Sequence, residues 1–119
     1  MKISDLVKEL SLEVKSYSEG LEQEITGAYV SDLLSDVMGK SQKGELWITL
    51  QTHLNIVAVA SHANLAGIIL VGGRKPQDDV LKKAEAEKVL IAVTPLPAFE
   101  TAGRLYQLLK ITSLPASEP

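Results

Sequence analysis

The sequence contains no cysteine, which excludes disulfide bonds, thiolate catalysis and cysteine-ligated metal sites. Aromatic residues are scarce at 4%, so the core must consist mainly of valine, isoleucine, leucine and alanine. Positive charge is not in excess either. The formal net charge is −3, which argues against a nucleic-acid partner bound through a basic face. The 119 residues are enough for one domain with a modest core.

A long apolar run is also lacking. The 28 residues between Glu45 and Arg74 include no Asp, Glu, Lys or Arg, and at first resemble a membrane span. Five amide or imidazole side chains interrupt them: Gln51, His53, Asn55, His62 and Asn64. Because a spanning helix needs about 20 mostly apolar residues, the interval indicates a buried interior and no membrane partner. Residues 1–16 are charged throughout and have no apolar centre of a signal peptide, so a cytoplasmic location is expected.

Three apolar runs organise the second half of the chain. LWIT, IILV and LIAV begin at Leu46, Ile68 and Leu90, 22 residues apart. Each is short and barely alternates, which is typical of strands buried on both faces. A turn and a helical pattern follow each run, and the predicted helices cover residues 53–64, 76–88 and 97–109. Strands that alternate with helices predict an α/β fold with a parallel sheet and right-handed crossovers.

The first half is less regular. A short helix is predicted over residues 4–10 with Ser4 as its cap, and strands over 12–16 and 23–30. A second short helix over 31–38 is expected to begin at Ser31 and to end at Gly39. Residues 1–110 are expected to form a single domain, and residues 111–119, with two prolines, a frayed tail.

Two predicted helices carry apolar surface that needs cover. Helix 53–64 is apolar around most of its circumference, so it must be covered on two sides. We therefore expect a homodimer whose contact includes part of the uncharged segment 53–66. In helix 97–109 one face is formed at helical spacing by Phe99, Ala102, Tyr106 and Leu109.

The segment LSDVMGKS, residues 34–41, nearly matches a phosphate-binding P-loop. Gly39, Lys40 and Ser41 stand at the required spacing, but Leu34 replaces the first glycine. A true P-loop follows a buried strand and leads into a helix, whereas here a predicted helix precedes Gly39 and a strand follows it. The match is therefore interpreted as coincidental, with Lys40 near the carbonyl end of a helix.

Polar residues follow the three buried strands, where an open parallel sheet places its ligands. Together the candidates offer an amide, hydroxyls, an imidazole, a guanidinium and a two-glycine turn: Gln51, Thr52, His53, Gly72, Gly73, Arg74 and Thr94. This set suits a small anionic ligand or a nucleotide. The alternative is that the glycines and threonines are only turn residues and that Arg74 is solvated.

Catalytic and metal sites are not indicated. His53 and His62 are nine residues apart and have no histidine or carboxylate at the i+3 or i+4 position, so capping or hydrogen-bonding roles are expected of them. No serine or threonine is visibly paired with a histidine base. We expect no metal, no cofactor and no catalytic residue.

Four segments resemble the DRTGG domain: ITGAYVSDLLSDVMG, GELWITLQTHLNIVAVA, GIILVGGRKP and LIAVTPLPAFETAGRLYQLL. The resemblance covers roughly residues 20–110 and is most specific in LQTH and GGRKP. The literal Asp-Arg-Thr-Gly-Gly string is absent, and QTHLN and GGRKP stand in that region. The domain occurs alone in small bacterial proteins and inserted in phosphotransacetylases and CBS-domain pyrophosphatases. It is also similar to the N-terminal, non-catalytic domain of HPr kinase.

The resemblance implies a three-layer α/β/α domain with a mixed, partly parallel sheet, and a regulatory or assembly role without defined chemistry. In larger proteins of this kind the domain mediates dimer contacts. Three hypotheses follow: a non-enzymatic homodimeric module that senses an anionic or nucleotide ligand, a phosphotransferase using Arg74, Lys75 and His53, and a purely structural domain that binds a protein partner. The failed P-loop match disfavours the phosphotransferase.

Overall fold

Five strands form one mixed sheet in the computed structural model, which describes residues 1–113, with side chains as far as Lys110. The strands are β1 (Glu13–Ser16), β2 (Gly27–Val30), β3 (Glu45–Thr49), β4 (Gly67–Leu70) and β5 (Ile91–Val93). Their order across the sheet is β1-β5-β4-β3-β2. Strands β2 to β5 are parallel, and β1 is antiparallel to β5. The expected mixed, partly parallel sheet is confirmed.

Helices cover both faces of the sheet. They are α1 (Leu34–Lys40), α2 (Asn55–His62), α3 (Asp78–Ala86) and α4 (Ala98–Ser113), with 3-10 turns at Ile3–Leu6 and Ser18–Glu22. Helices α1, α2 and α3 pack on one face, while α4 and the first 3-10 turn pack on the other. The three-layer α/β/α architecture is therefore confirmed. No helix of the described residues combines the length and apolar character needed to cross a membrane.

The buried strands serve two cores because alternate residues point to opposite faces. In β3, Leu46 and Ile48 join the core beneath α4, whereas Trp47 joins the core beneath α1, α2 and α3. Leu46 and Trp47 are fully buried and Ile48 is 1% exposed. A strand with a helical layer on each side is apolar at nearly every position, which explains the residues LWI at the start of the run LWIT.

The first half departs from its prediction at the helix ends. Residues 4–10 do not form an α-helix; a 3-10 turn ends at Leu6, and the Asp5 carboxylate, not Ser4, accepts the hydrogen bond that caps it, from the Lys2 N–H. Helix α1 begins three residues after Ser31, whose hydroxyl accepts a hydrogen bond from the Leu33 N–H. Gly39 lies inside α1, so its expected role as a left-handed C-cap is wrong.

Helix α4 ends later than the predicted helix over residues 97–109. Helix α4 continues through Ser113, so the first three residues of the expected tail are helical. Residues 114–119 lie outside the described part of the chain. The amphipathic pattern of α4 predicts the helix itself, but not how far it extends.

The apolar surface of α2 is covered within the chain. Ile56, Val57, Val59 and Ala60 are buried, since the helix packs on the sheet between its neighbours α1 and α3. The premise that residues 53–66 have apolar surface to spare for a partner is therefore wrong. Leu54, just before the helix, is 37% exposed, and the larger exposed apolar surface lies elsewhere, with Phe99 92% and Tyr106 63% exposed.

Candidate ligand site at the carboxyl edge of the sheet

The carboxyl ends of four parallel strands meet at one edge of the sheet. The chain leaves β4 towards α3 on one face, and leaves β5 towards α4 on the opposite face. Connections that diverge in this way mark the position where α/β sheets commonly bind ligands. The Gly72–Gly73 turn and the loop that begins at Thr94 lie side by side at this position and are joined by backbone hydrogen bonds.

The glycine turn is held to the loop after β5. Gly72 and Gly73 have φ of +68° and +74°, a left-handed conformation that glycine adopts without steric cost. The Gly72 N–H donates to the Leu96 carbonyl at 2.8 Å, and the Gly73 N–H donates to the Thr94 carbonyl at 3.0 Å. Both amides are thus already used. They fix the shape of the turn and are not free to hold an anion.

Thr94 also serves the loop. Its side chain is 1% exposed, its hydroxyl donates to the Leu10 carbonyl at 2.8 Å, and the same oxygen accepts from the Leu96 N–H at 3.2 Å. A hydroxyl so engaged does not face a ligand. The structure therefore brings Thr94, Gly72 and Gly73 together as a rigid support.

Asp32, which the sequence analysis did not single out, joins the loops after β2 and β3. Its Oδ1 accepts from the Thr49 hydroxyl at 2.7 Å and from the Leu50 N–H at 2.8 Å. The Gln51 side-chain amide donates to the Asp32 carbonyl at 2.9 Å. An aspartate placed directly between a strand and a helix could have indicated this role. The predicted helix over residues 31–38 includes Asp32, so the sequence does not show that it lies in a loop.

His53 and Thr52 begin the connection to α2. His53 Nδ1 accepts from the Asn55 N–H at 3.1 Å, so this histidine has a local hydrogen-bonding role, although the N-cap of α2 is Leu54. Its side chain is exposed, and Thr52 is half-buried. The neighbouring Leu50 lies beside the glycine turn, since a Cβ on Gly72 would be 3.5 Å from its Cδ2. Gln51, Thr52 and His53 therefore follow the strand next to the turn.

Arg74 stands at the top of the glycine turn. Its backbone N–H donates to the Val71 carbonyl, and the residue is exposed. Within residues 1–110, no hydrogen bond or ion pair engages its guanidinium, although Asp78 and Asp79 lie in the first turn of α3. Within these residues Arg74 therefore does not stabilise the fold through an ion pair with a buried acid.

Tyr29 and Asp36 link β2 to α1 near the same edge. The Tyr29 hydroxyl donates to Asp36 Oδ2 at 2.8 Å. This hydrogen bond lowers the pKa of Asp36, with a further contribution from Ser31, and raises the pKa of Tyr29. The pair stabilises α1 against the strand from which the chain arrives.

We expect Tyr29→Phe to raise the pKa of Asp36 towards its ordinary value, because the largest cause of the shift is removed. A lowered folded pKa contributes stability above the ordinary value of 3.8, and this stability is lost as the pH falls through the folded value. The variant should therefore lose less stability than the wild type as the pH falls through the ordinary value of 3.8 and below it. An NMR titration of the Asp36 carboxyl measures the shift, and an ordinary value in the wild type would contradict it.

Metal binding and the P-loop resemblance can both be compared with the structure of residues 1–113. No group of three His, Asp or Glu side chains within the described residues is placed to hold a metal ion. The P-loop-like residues Leu34 to Lys40 form α1, so Gly39 and Lys40 belong to a helix and not to a phosphate-binding loop. Lys40 lies in the last turn of α1, as expected.

Comparison with known proteins agrees with this fold. Residues 5–108 match the family model described as the DRTGG domain. Among curated proteins no sequence matches the chain. A similar solved structure contains the CBS and DRTGG domains of the regulatory region of Clostridium perfringens pyrophosphatase, complexed with its activator, diadenosine tetraphosphate. The identity is 20%, the TM-score is 0.70, and the match covers 87% of this chain and 45% of that structure.

At that identity the structural likeness shows the fold alone. The family match, in contrast, takes in nearly the whole described part of the chain, including the strands, the glycine turn and most of α4. The chain belongs to the DRTGG domain family.

Proposed function

We propose that this protein is a non-catalytic regulatory module, a cytoplasmic homodimer that binds a nucleotide or another small anion at the carboxyl edge of its sheet. Arg74 is the main anion contact in this proposal. Gln51, Thr52 and His53 line the opposite side, and the Gly72–Gly73 turn with Thr94 supports Arg74 from below.

The exposed guanidinium of Arg74 carries the proposal. It follows a turn that two backbone hydrogen bonds hold to the loop after β5, at the carboxyl ends of two parallel strands. Arginine binds phosphate and carboxylate through two parallel hydrogen bonds, and a rigid base reduces the entropy lost on binding. Since Arg74 has no protein partner within residues 1–110, a bound anion would not have to displace one.

The solved relative supports the choice of a nucleotide. That structure is a regulatory region bound to a nucleotide activator, diadenosine tetraphosphate, and it contains a DRTGG domain. Because the identity is only 20%, ligand and role are transferred here as a proposal. The match covers 45% of that structure, so the proposal concerns ligand sensing by the DRTGG domain alone.

A thermal-shift panel tests ligand binding directly. The probes are ATP, ADP, AMP, diadenosine tetraphosphate and inorganic phosphate. A ligand at 100 times its Kd stabilises the folded state by about 2.7 kcal/mol, which raises the Tm of a domain of this size by roughly 10 °C. No shift with any probe would contradict nucleotide sensing and favour a purely structural protein-binding domain.

The competing phosphotransferase hypothesis gives a separate prediction. We expect no release of phosphate from ATP and Mg²⁺, because α1 replaces the P-loop and no carboxylate cluster holds Mg²⁺ within the described residues. A phosphate-release assay on the wild type and on Lys40→Ala measures this. Turnover that disappears in Lys40→Ala would contradict the non-catalytic role.

A further inference from the structure

An apolar groove runs between the edge strand β2 and helix α4, on the face of the sheet opposite α1, α2 and α3. Its volume is about 390 Å³. The lining includes Ala28 and Val30 from β2 and Phe99, Gly103 and Tyr106 from α4, and none of its residues is charged. Phe99, Tyr106 and Val30 are 92%, 63% and 53% exposed, so the rim of this β2 groove is uncovered.

The open edge of β2 borders the groove. The Ser31 N–H donates to the Ile48 carbonyl. In this parallel ladder Tyr29 therefore directs both its N–H and its C=O towards β3. Ala28 and Val30 then direct their N–H and C=O groups away from the sheet. The strand reads GAYV, with no proline or charge, the devices that usually protect an exposed edge.

Gly103 keeps the groove open. It lies inside α4, where glycine costs about 0.5–1 kcal/mol relative to alanine. A Cβ at this position would have no atom within 4 Å, so packing within the chain does not require glycine there. The missing side chain leaves room for an occupant from outside the chain.

We propose that a second copy of this chain covers the β2 groove, with the two β2 strands paired antiparallel around a twofold axis. The two sheets then become one continuous sheet of ten strands. A twofold axis perpendicular to the sheet places both α4 helices on the same face, where Phe99 and Tyr106 of each copy close the groove of the other. This interface rests on the homodimer of the proposed function and gives that homodimer its location.

The exposed area suits a dimer. A stable interface buries about 800 Å² from each copy, of which about 65% is apolar in homodimers. An aromatic side chain can bury about 150–250 Å², so Phe99 and Tyr106 at their observed exposures supply roughly half of the apolar area needed. Val30, the groove floor and the outward backbone groups of β2 add to it. A charged peptide, in contrast, finds no opposite charge in the lining.

The oligomeric state of matched variants tests the proposal. In Tyr106→Glu the new carboxylate lies four residues before Lys110, a favourable pair on a helix, so α4 should remain folded. Gly103→Leu fills the groove and raises helix propensity, so lost association cannot be attributed to unfolding. The control is Leu33→Glu, because Leu33 is 64% exposed, against 63% for Tyr106, and lies before α1.

Sedimentation at about 50 μM, well above a micromolar Kd, should show a dimer for the wild type and for Leu33→Glu. The Kd of the dimer should be at least about tenfold higher in both groove variants, as expected for residues central to an interface. If the wild type is dimeric and either groove variant is equally dimeric, this interface is wrong, but the homodimer of the proposed function is not contradicted. A monomeric wild type would overturn both, and would leave the groove to a different protein or a small apolar ligand.

Discussion

Trp47→Ala should lower the free energy of unfolding by about 3–5 kcal/mol, the range observed when a buried tryptophan or phenylalanine is truncated. Trp47 is fully buried on β3 and packs in the core beneath α1, α2 and α3. Its Nε1–H donates to the Ser31 carbonyl at 2.8 Å. Truncation therefore opens a cavity and also leaves that carbonyl without its donor. Because domains are stable by only about 5–15 kcal/mol, the variant should be close to unfolding at 37 °C.

Urea denaturation followed by circular dichroism measures the loss. Trp47→Phe is the matched control, since it keeps an aromatic ring in the core and removes only the hydrogen bond and part of the volume. We expect an intermediate loss for this control. A loss below about 1.5 kcal/mol in Trp47→Ala would mean that the site collapses around the missing ring, contrary to the close packing of both faces of β3.

Gly44→Ala should be about as damaging, with an expected loss of about 2–5 kcal/mol. Gly44 precedes β3 with φ of +84°, where a side chain costs about 1–2 kcal/mol. A Cβ would also lie 2.8 Å from Thr26 Cγ2, so overpacking adds about 1–3 kcal/mol. The Gly44 N–H donates to the Asn64 carbonyl, and its carbonyl accepts from the Thr26 N–H, so the residue cannot move away without breaking hydrogen bonds.

Gly39→Ala is the matched control for that prediction. Gly39 is helical, has no positive φ, and a Cβ there would meet no atom within 4 Å. Alanine should therefore stabilise the protein by about 0.5–1 kcal/mol. Thermal unfolding of both variants under identical conditions separates the two glycines. Destabilisation by Gly39→Ala would restore the C-cap interpretation that the structure contradicts.

The second half of the fold was predictable because its strands are buried on both faces. An apolar run such as IILV is compatible with few environments, and the observed β4 (Gly67–Leu70) differs from it by one residue at each end. The first half was harder to predict. Its short helices end where local hydrogen bonds decide, such as that from the Leu33 N–H to the Ser31 hydroxyl, and amphipathic periodicity does not contain this information.

The face of α4 shows a second limit of periodicity. Phe99 and Tyr106 share a face with Ala102 and Leu109, and that pattern is the same whether the face meets the core or an uncovered groove. Only the order of the strands, which leaves β2 at the edge, decides that no further element of the described chain covers them. The sequence pattern identified the apolar face, and the topology determined its exposure.

For the candidate site, the sequence predicted which loops meet but not how their polar groups are used. Three buried strands in series placed the loop beginning at Gln51, the Gly72–Gly73 turn and Thr94 at one edge. Hydrogen bonds between loops, from Gly73 to Thr94 and from Gln51 to Asp32, join residues 21 and 19 positions apart. Hydrogen bonds between residues so far apart in the chain form only in the completed sheet. The sequence therefore does not show that Arg74 is exposed while the other candidate residues are used to support the loops.

Calorimetric titration of the wild type and Arg74→Ala with diadenosine tetraphosphate and with ATP tests nucleotide binding at this edge most directly. A hydrogen bond to a charged group is worth about 1.5–3 kcal/mol, so the variant should bind about 10- to 150-fold more weakly. Its Tm without ligand should be unchanged, because the guanidinium has no partner within residues 1–110. Arg74→Lys, which keeps the charge but not the bidentate geometry, should be intermediate. Lys82→Ala, which removes one positive charge from the exposed surface of α3, should bind like the wild type. Equal affinity of the wild type and Arg74→Ala, or no binding of either nucleotide to the wild type, would contradict the proposed site.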